Sequence, residues 1–331
     1  MRMALRLTVS LLMVMSLVGC QKSENYQEMK DSKSDVLVIY EESDEELNEE
    51  DADLSMATLK DVYLSDYEYK EIEIDGIELP AGISCLEEYM LISDKKTNQI
   101  FQVNYAGEIL NQNVLFSAGQ IEVVDEMIYV MDPEGNRIQV LDMNLKPKDE
   151  IILKEKTYLG AEYEPQSLAV NDEGVYVTGF SLESRVIDKY DNGKRIEIGD
   201  NFIGDIECYE DDIYLINSMV CYYDKENDTF GAMSSGPEWL MKINGNEIEK
   251  ICELPFGFYI IEFFMEEEGI VCVSGSGGAL YRINRAGEYV ETIAYIPGLE
   301  TEKSPQISRN QEGDYYLVMP NSGKLIRCHK K

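Results

Sequence analysis

From about residue 67 to the end, apolar and polar positions alternate with a period of two in short runs rich in Ile, Val, Tyr, Leu and Phe, and Gly, Asn and Asp punctuate the gaps. That is the pattern of half-buried strands joined by tight turns. No stretch sustains the 3.6-residue period of an amphipathic helix. One strand phrase recurs, at Asn98 to Asn104, Asn136 to Asp142, Glu238 to Asn244, Gly278 to Asn284 and Gly323 to Cys328, with a weaker copy at Ser184 to Tyr190. Several copies run into a turn such as Ala106-Gly107-Glu108, Asn192-Gly193-Lys194, Asn244-Gly245-Asn246 or Ala286-Gly287-Glu288 and then into a further strand. Upstream of each phrase lies a matching strand: Met90 to Ser93, Ile128 to Met131, Val175 to Thr178, Ile213 to Ile216, Ile270 to Val273 and Tyr315 to Val318. Before these come shorter first strands, as at Ile121 to Val124 and Ser167 to Val170.

The repeat therefore has four strands and a period of roughly 40 to 50 residues, the size of one propeller blade. A sandwich also has many short strands, but nothing in it makes the same strand-turn-strand phrase return six times. The last repeat stops after its third strand, and an orphan strand, Tyr69 to Ile74, stands ahead of the first. Pairing that strand with Leu325 to Cys328 would complete the final sheet and remove an open edge. The expectation is an all-β fold, a six-bladed β-propeller over residues 67–331 with its ring closed by an N-terminal strand. The phrase hydrophobic-x-hydrophobic-Asn/Asp followed by x-Gly-Glu/Lys resembles the blades of NHL and TolB-like six-bladed propellers, in particular those of bacterial secreted or lipid-anchored proteins. The Trp-Asp dipeptide of WD40 blades is missing.

The chain ahead of the repeats reads differently. Met1 to Arg6 carry two arginines and no acid, and Leu7 to Val18 are apolar but for Thr8, Ser10 and Ser16. This run is shorter than the about 20 residues a membrane span needs, and a polar segment follows it directly, as in a cleaved signal. Leu17-Val18-Gly19-Cys20 resembles the lipobox of bacterial lipoproteins. That resemblance implies a signal peptide over 1–19, cleavage before Cys20, acyl chains on Cys20, and an extracytoplasmic protein held to a bacterial membrane through the lipid. Residues 20–66 are dominated by Glu, Asp, Ser, Asn and Lys, too polar to bury a core, and are expected to be a disordered acidic spacer.

Charge narrows the partners. The chain has 64 acidic and 29 basic residues. Nucleic acid, which is bound through Lys and Arg on phosphates, is not an expected partner, and an anionic bilayer would repel the protein, leaving the lipid to supply membrane affinity. The domain holds Cys85, Cys208, Cys221, Cys252, Cys272 and Cys328 with no C-x-x-C spacing, so buried thiols are expected, with a Cys208–Cys221 disulfide as the alternative. There is one histidine, His329.

In a propeller the first strands line the central channel, and the loops leading into them form one rim. That places Gln120, Glu122, Gln166, Asp205, Glu207, Glu262, Gln306 and Arg309 around one opening. Three readings stand for this ring. It is a polar mouth that binds a protein, peptide or glycan; or a calcium site built on Asp205, Glu207 and Glu262, whose oxygens suit a hard cation; or a set of amides and acids that satisfy strand-end backbone groups. No cofactor is otherwise expected. The propeller lyases and lactonases that this fold resembles rely on histidine near neutral pH, so a non-catalytic binding or scaffold module is the leading expectation. A hydrolase or lyase using channel carboxylates, with or without calcium, is the alternative. Ser274 to Gly278 lies between strands and opens no helix, so it reads as a hairpin turn rather than a phosphate cradle. The insertion Asp224 to Pro237, leading to the single tryptophan Trp239, reads as a long loop.

Overall fold

The turns explain why the repeat phrase ends as it does. Asn104 Oδ1 accepts from the amides of Ala106 at 3.1 Å and Glu108 at 2.9 Å, while its Nδ2 donates to Glu108 Oε2 at 2.8 Å. Asn284 repeats this with Ala286, Glu288 and the Glu288 carboxylate. Asp142 does the same for the amides of Asn144 and Lys146. A short polar side chain that holds the turn amides, with a residue at positive φ to reverse the chain, fixes a tight hairpin. That residue is Gly107 (φ 90°) or Gly287 (φ 86°). Each hairpin delivers the third strand of a blade to its fourth.

The computed structural model describes residues 66–331 except 116, 154–163, 181–184, 192–193, 201–202, 225–228, 234–237, 256–258, 276–277 and 303. The expected signal segment, Cys20 and the expected spacer lie outside the described residues, apart from Asp66. Among the described residues no helix is long and apolar enough to cross a membrane.

The strands form six antiparallel sheets. Strand β1 (Tyr67–Ile72) is set aside for the last. Blade 1 is β2 (Pro80–Cys85), β3 (Tyr89–Asp94), β4 (Gln99–Asn104) and β5 (Ile109–Val114). Blade 2 is β6 (Ile121–Val124), β7 (Met127–Asp132), β8 (Arg137–Asp142) and β9 (Pro147–Ile152). Blade 3 is β10 (Glu164–Asn171), β11 (Gly174–Phe180), β12 (Arg185–Asp191) and β13 (Lys194–Asp200). Blade 4 is β14 (Ile203–Tyr209), β15 (Asp212–Asp224), β17 (Trp239–Asn244) and β18 (Glu247–Glu253), with β16 (Thr229–Met233) added to β15. Blade 5 is β19 (Ile260–Met265), β20 (Gly269–Ser274), β21 (Ala279–Asn284) and β22 (Tyr289–Tyr295). Blade 6 takes β23 (Gln306–Arg309), β24 (Tyr315–Met319) and β25 (Lys324–Lys330) from the C-terminus and β1 from the N-terminus, in the order β23-β24-β25-β1. The protein is a six-bladed β-propeller.

The closing strand pairs as the sequence suggests, with Tyr69 opposite Cys328 and Ile72 opposite Leu325, but it starts two residues earlier than its apolar pattern indicated, at Tyr67. Tyr67 is 8% exposed and packs with Val271, Leu317 and Ile326. Its hydroxyl accepts from Arg282 Nη2 at 3.3 Å, and Arg282 also donates to Tyr315 Oη at 2.6 Å, so the strand is bolted to blade 5 as well as blade 6.

Six apolar clusters hold the ring, one at each blade junction. Leu91 and Ile100 of blade 1 meet Ile128 and Val130 of blade 2, Val175 and Val177 of blade 3 meet Met131 and Ile138 of blade 2, and the pattern continues through Tyr316 and Val318 of blade 6 against Ile92 and Phe101 of blade 1. Each such side chain contributes about 1.5–3 kcal/mol when fully buried. The alternation predicted by the sequence is thus split between two neighbouring blades rather than between core and solvent.

The blade 4 insertion differs from its expectation as a loop. Strand β15 runs on past its own sheet and pairs with β16, Val220 opposite Met233 and Asp224 opposite Thr229, so much of the insertion is a hairpin arm. Trp239 sits at the start of β17, packed among Ile206, Leu215 and Met241, with Lys250 Nζ 4.4 Å from its ring centre.

Candidate functional site

Each inner strand has one edge that no neighbouring strand pairs, because the channel lies there. Buried amides left without acceptors would cost about 1–3 kcal/mol each. The register of the six inner strands puts Gly82, Gln120, Ser167, Asp205, Glu262 and Gln306 at one level, each just ahead of an amide that needs an acceptor. Going round the ring, each polar side chain reaches the next blade. Gln120 Oε1 accepts from Leu168 N at 2.8 Å while its Nε2 donates to Leu168 O at 3.0 Å. Ser167 Oγ accepts from Ile206 N at 3.3 Å. Asp205 Oδ2 accepts from Phe263 N at 3.1 Å, and Glu262 Oε1 from Ile307 N at 3.5 Å. Gln306 Oε1 accepts from Ile83 N at 3.1 Å.

Blade 1 has glycine at this level and no side chain to pass on. Gln306 covers the gap: its Oε1 also accepts from Ile121 N of blade 2 at 3.3 Å. Blade 2 backbone packs closely against Gly82, where a Cβ would run into the carbonyl oxygen of Gly119 and into Ser93 Oγ. Five side chains, with Gln306 serving twice, form a hydrogen-bonded girdle in which all six amides find acceptors.

One pleat further along lie Ser84, Glu122, Glu207, Phe264 and Ser308, which with Glu262 and Gln306 line a cavity of about 200 Å³. Ser308 Oγ continues the blade 6 to blade 1 tie, accepting from Cys85 N at 2.9 Å. Glu122 Oε1 accepts from Gln120 Nε2 at 3.2 Å. Burial pushes the Glu122 carboxyl up to about 8, with the Asp205 charge adding to the effect. Asp205 is pushed up to about 6 by burial against the opposing pull of Ser167, whose Oγ lies 2.5 Å from Oδ1. Glu207 is raised well above the ordinary range first by burial and then by the charges of Glu122 and Asp205, and Glu262 first by burial and then by the charges of Asp205 and Glu207.

Of the residues the sequence placed around one opening, Gln120, Asp205, Glu262 and Gln306 share the girdle, and Glu122 and Glu207 lie below it. Gln166 does not join them. The register of β10 against β11 slips between Pro165 and Ser167, so Gln166 sits on a bulge and is exposed, and Ser167 takes the ring position. Arg309 lines the far end of the cavity, but its Nη1 is 3.0 Å from Glu266 Oε1, on a network with Tyr315 and Arg282. Glu238 carries no strand alternation to flag it. It reaches Ile260 N through Oε1 at 3.0 Å, leaves Oε2 without a hydrogen-bond partner, and is pushed up to about 7 by burial. A calcium site needs carboxylates converging on one point, and among the described residues no three acids, thiols or imidazoles do so. Cys85, Cys208, Cys252, Cys272 and Cys328 are free thiols. The side chain of Cys221 lies outside the described residues. His329 stands on β25 opposite Glu68 of β1, away from the inner strands, with Nε2 4.0 Å from the Glu68 carboxylate.

No protein-family model matches the chain, and no curated protein matches it in sequence. Its fold is shared with solved propellers. A streptogramin B lyase is 14% identical with a TM-score of 0.53, covering 80% of this chain and 98% of its own. A Trichoderma reesei carbohydrate-active enzyme of family AA12 is 9% identical with a TM-score of 0.54, over 80% and 96%. The calcium-binding protein regucalcin from Agrobacterium tumefaciens is 11% identical with a TM-score of 0.51, over 76% and 90%. At these identities the likeness is one of fold, and the same ring carries unlike roles.

Proposed function

We propose that this chain is an extracytoplasmic β-propeller, tethered to a bacterial membrane through a lipid on Cys20, that acts as a non-catalytic binding or scaffold module for a protein, peptide or glycan. The observation that carries the reading is the girdle: the polar side chains facing the channel at its rim are engaged in holding one blade to the next. The cavity beneath, at about 200 Å³, is smaller than pockets that enclose a drug-sized ligand, about 300–1,000 Å³. A polymeric partner is then met on the rims and flanks of a rigid ring, and the anchor sets where it is met.

A hydrolase or lyase is the second reading, favoured by one observation: Glu122, Glu207 and Glu262 line the same cavity with raised carboxyl pKa values, as a general acid requires. Crosslinking in intact cells separates the two. The first reading expects a partner held equally by wild type and by Glu122→Gln/Glu207→Gln, and lost with Cys20→Ser, which is released from the membrane. A substrate whose turnover vanishes in the glutamine variant would establish the second. A Cys20→Ser protein that stays membrane-bound and lipid-labelled would refute the anchor.

A further inference from the structure

Among the described residues none of the four channel carboxyls has an ion-pair partner. Asp205 on β14 and Glu262 on β19 are both buried, and the charge of Asp205 reaches Glu262. The Asp205 oxygens take Ser167 Oγ at 2.5 Å and Phe263 N at 3.1 Å. Glu207, two residues along β14, and Glu122 on β6 sit within electrostatic reach of Asp205 and of each other. The groups facing them from the other inner strands are neutral: Ser84 on β2, Ser167 on β10, and Gln306 and Ser308 on β23. Arg309, the cation among the described lining residues, is engaged by Glu266 at 3.0 Å and lies over the Tyr315 ring at 5.4 Å. Cys208, beside Glu207, is a thiol pushed up to about 12 by burial and brings no charge at neutral pH. Buried carboxyls with no cation beside them hold protons, since neighbouring buried like charges cannot both persist.

We propose that Glu122, Asp205, Glu207 and Glu262 form a proton-dependent clasp in the channel, so that the ring is tight while they share protons and loosens at the junctions of blades 4, 5 and 6 when they ionise. The junctions follow from the ties: Asp205 carries the blade 4 to blade 5 hydrogen bond and Glu262 the blade 5 to blade 6 one. Mutual repulsion on ionisation pulls at those two. The inference is independent of what the ring binds.

The sign follows from the direction of the shifts. All four groups bind a proton more tightly in the folded protein than in the unfolded chain, so the stability they confer is complete below the ordinary carboxylate range and is lost as pH rises through the folded values. For Asp205 that window ends at about 6 and for Glu122 at about 8. Asp94, held below its ordinary value by backbone amides, acts in the opposite sense, and only at lower pH.

The test is the melting temperature of the intact protein from about pH 5 to about pH 8.5, where the clasp predicts a fall of about 5 °C or more. Glu207→Gln, at a residue with no described hydrogen bond, is expected to raise the melting temperature at about pH 8.5 and to reduce the slope. Glu207→Gln/Glu262→Gln is expected to flatten it further. An infrared band of protonated carboxyl is expected at neutral pH in the wild type and reduced in the single variant, which gives a readout even if the double variant does not fold. A melting temperature that is flat or rising with pH, or a Glu207→Gln slope equal to wild type, would overturn the proposal.

Discussion

Gln306 serves two blades from one side chain, and its loss is expected to be felt twice. Gln306→Ala leaves the amides of Ile83 and Ile121 without acceptors, a cost of about 2–4 kcal/mol in urea unfolding. Gln166→Ala, on its exposed bulge, is expected to change stability by less than about 0.5 kcal/mol. A cost for Gln166→Ala equal to that for Gln306→Ala would mean that the ring positions are misassigned. Gly82→Ala forces a Cβ against the Gly119 carbonyl and is expected to destabilise by about 1–3 kcal/mol. Gln120, Asp205, Glu262 and Gln306 were legible in the sequence because they stand at or near the start of alternating inner strands. Ser167 was not: a single bulged residue shifts which side chain faces the channel, and nothing in Pro165-Gln166-Ser167 announces where the extra residue falls. The role of the amides as blade-to-blade ties was one of three readings the sequence left open, since the same atoms serve a ligand or a neighbour equally well until their partners are known.

At the scale of elements, β1 closes the ring with six paired residues, and it is the one strand that joins the two ends of the domain. Tyr67→Ala removes a buried ring and the acceptor of Arg282, and is expected to cost about 3 kcal/mol and to leave blade 6 the first to open, checked by proteolysis of β25 under native conditions. Equal protection of β25 in wild type and variant would contradict that order. The six blades were readable because the turn phrase has a local cause, the Asn or Asp side chain on its own turn amides, which repeats wherever the hairpin does. The hairpin arm of β15 and β16 was not readable as strand. It belongs to no repeat, and the residues joining its two strands, Lys225 to Asp228, carry the Lys, Glu, Asn and Asp of an ordinary loop.

At the scale of the molecule, the ring is built so that neighbouring blades share everything: apolar clusters sit at blade junctions rather than within blades, and the channel wall is stitched by side chains that cross those junctions. The unfolding transition is therefore expected to be a single cooperative step rather than blade by blade, in contrast to open repeat arrays, where each unit touches only its neighbours. What the sequence offers about whole-molecule function is an expected address rather than chemistry: Leu17-Val18-Gly19-Cys20 resembles a lipobox, and the acidic composition carries no expectation of nucleic acid. The girdle claim underlies both the stability of the ring and the reading of the channel, and amide hydrogen exchange tests it most directly. The amides of Ile83, Ile121, Leu168, Ile206, Phe263 and Ile307 are expected to be protected like the paired core strands, with Gln306→Ala exposing Ile83 and Ile121 while the other four stay slow. Exchange of all six at the rate of an open strand edge, or no selective change in the variant, would contradict it.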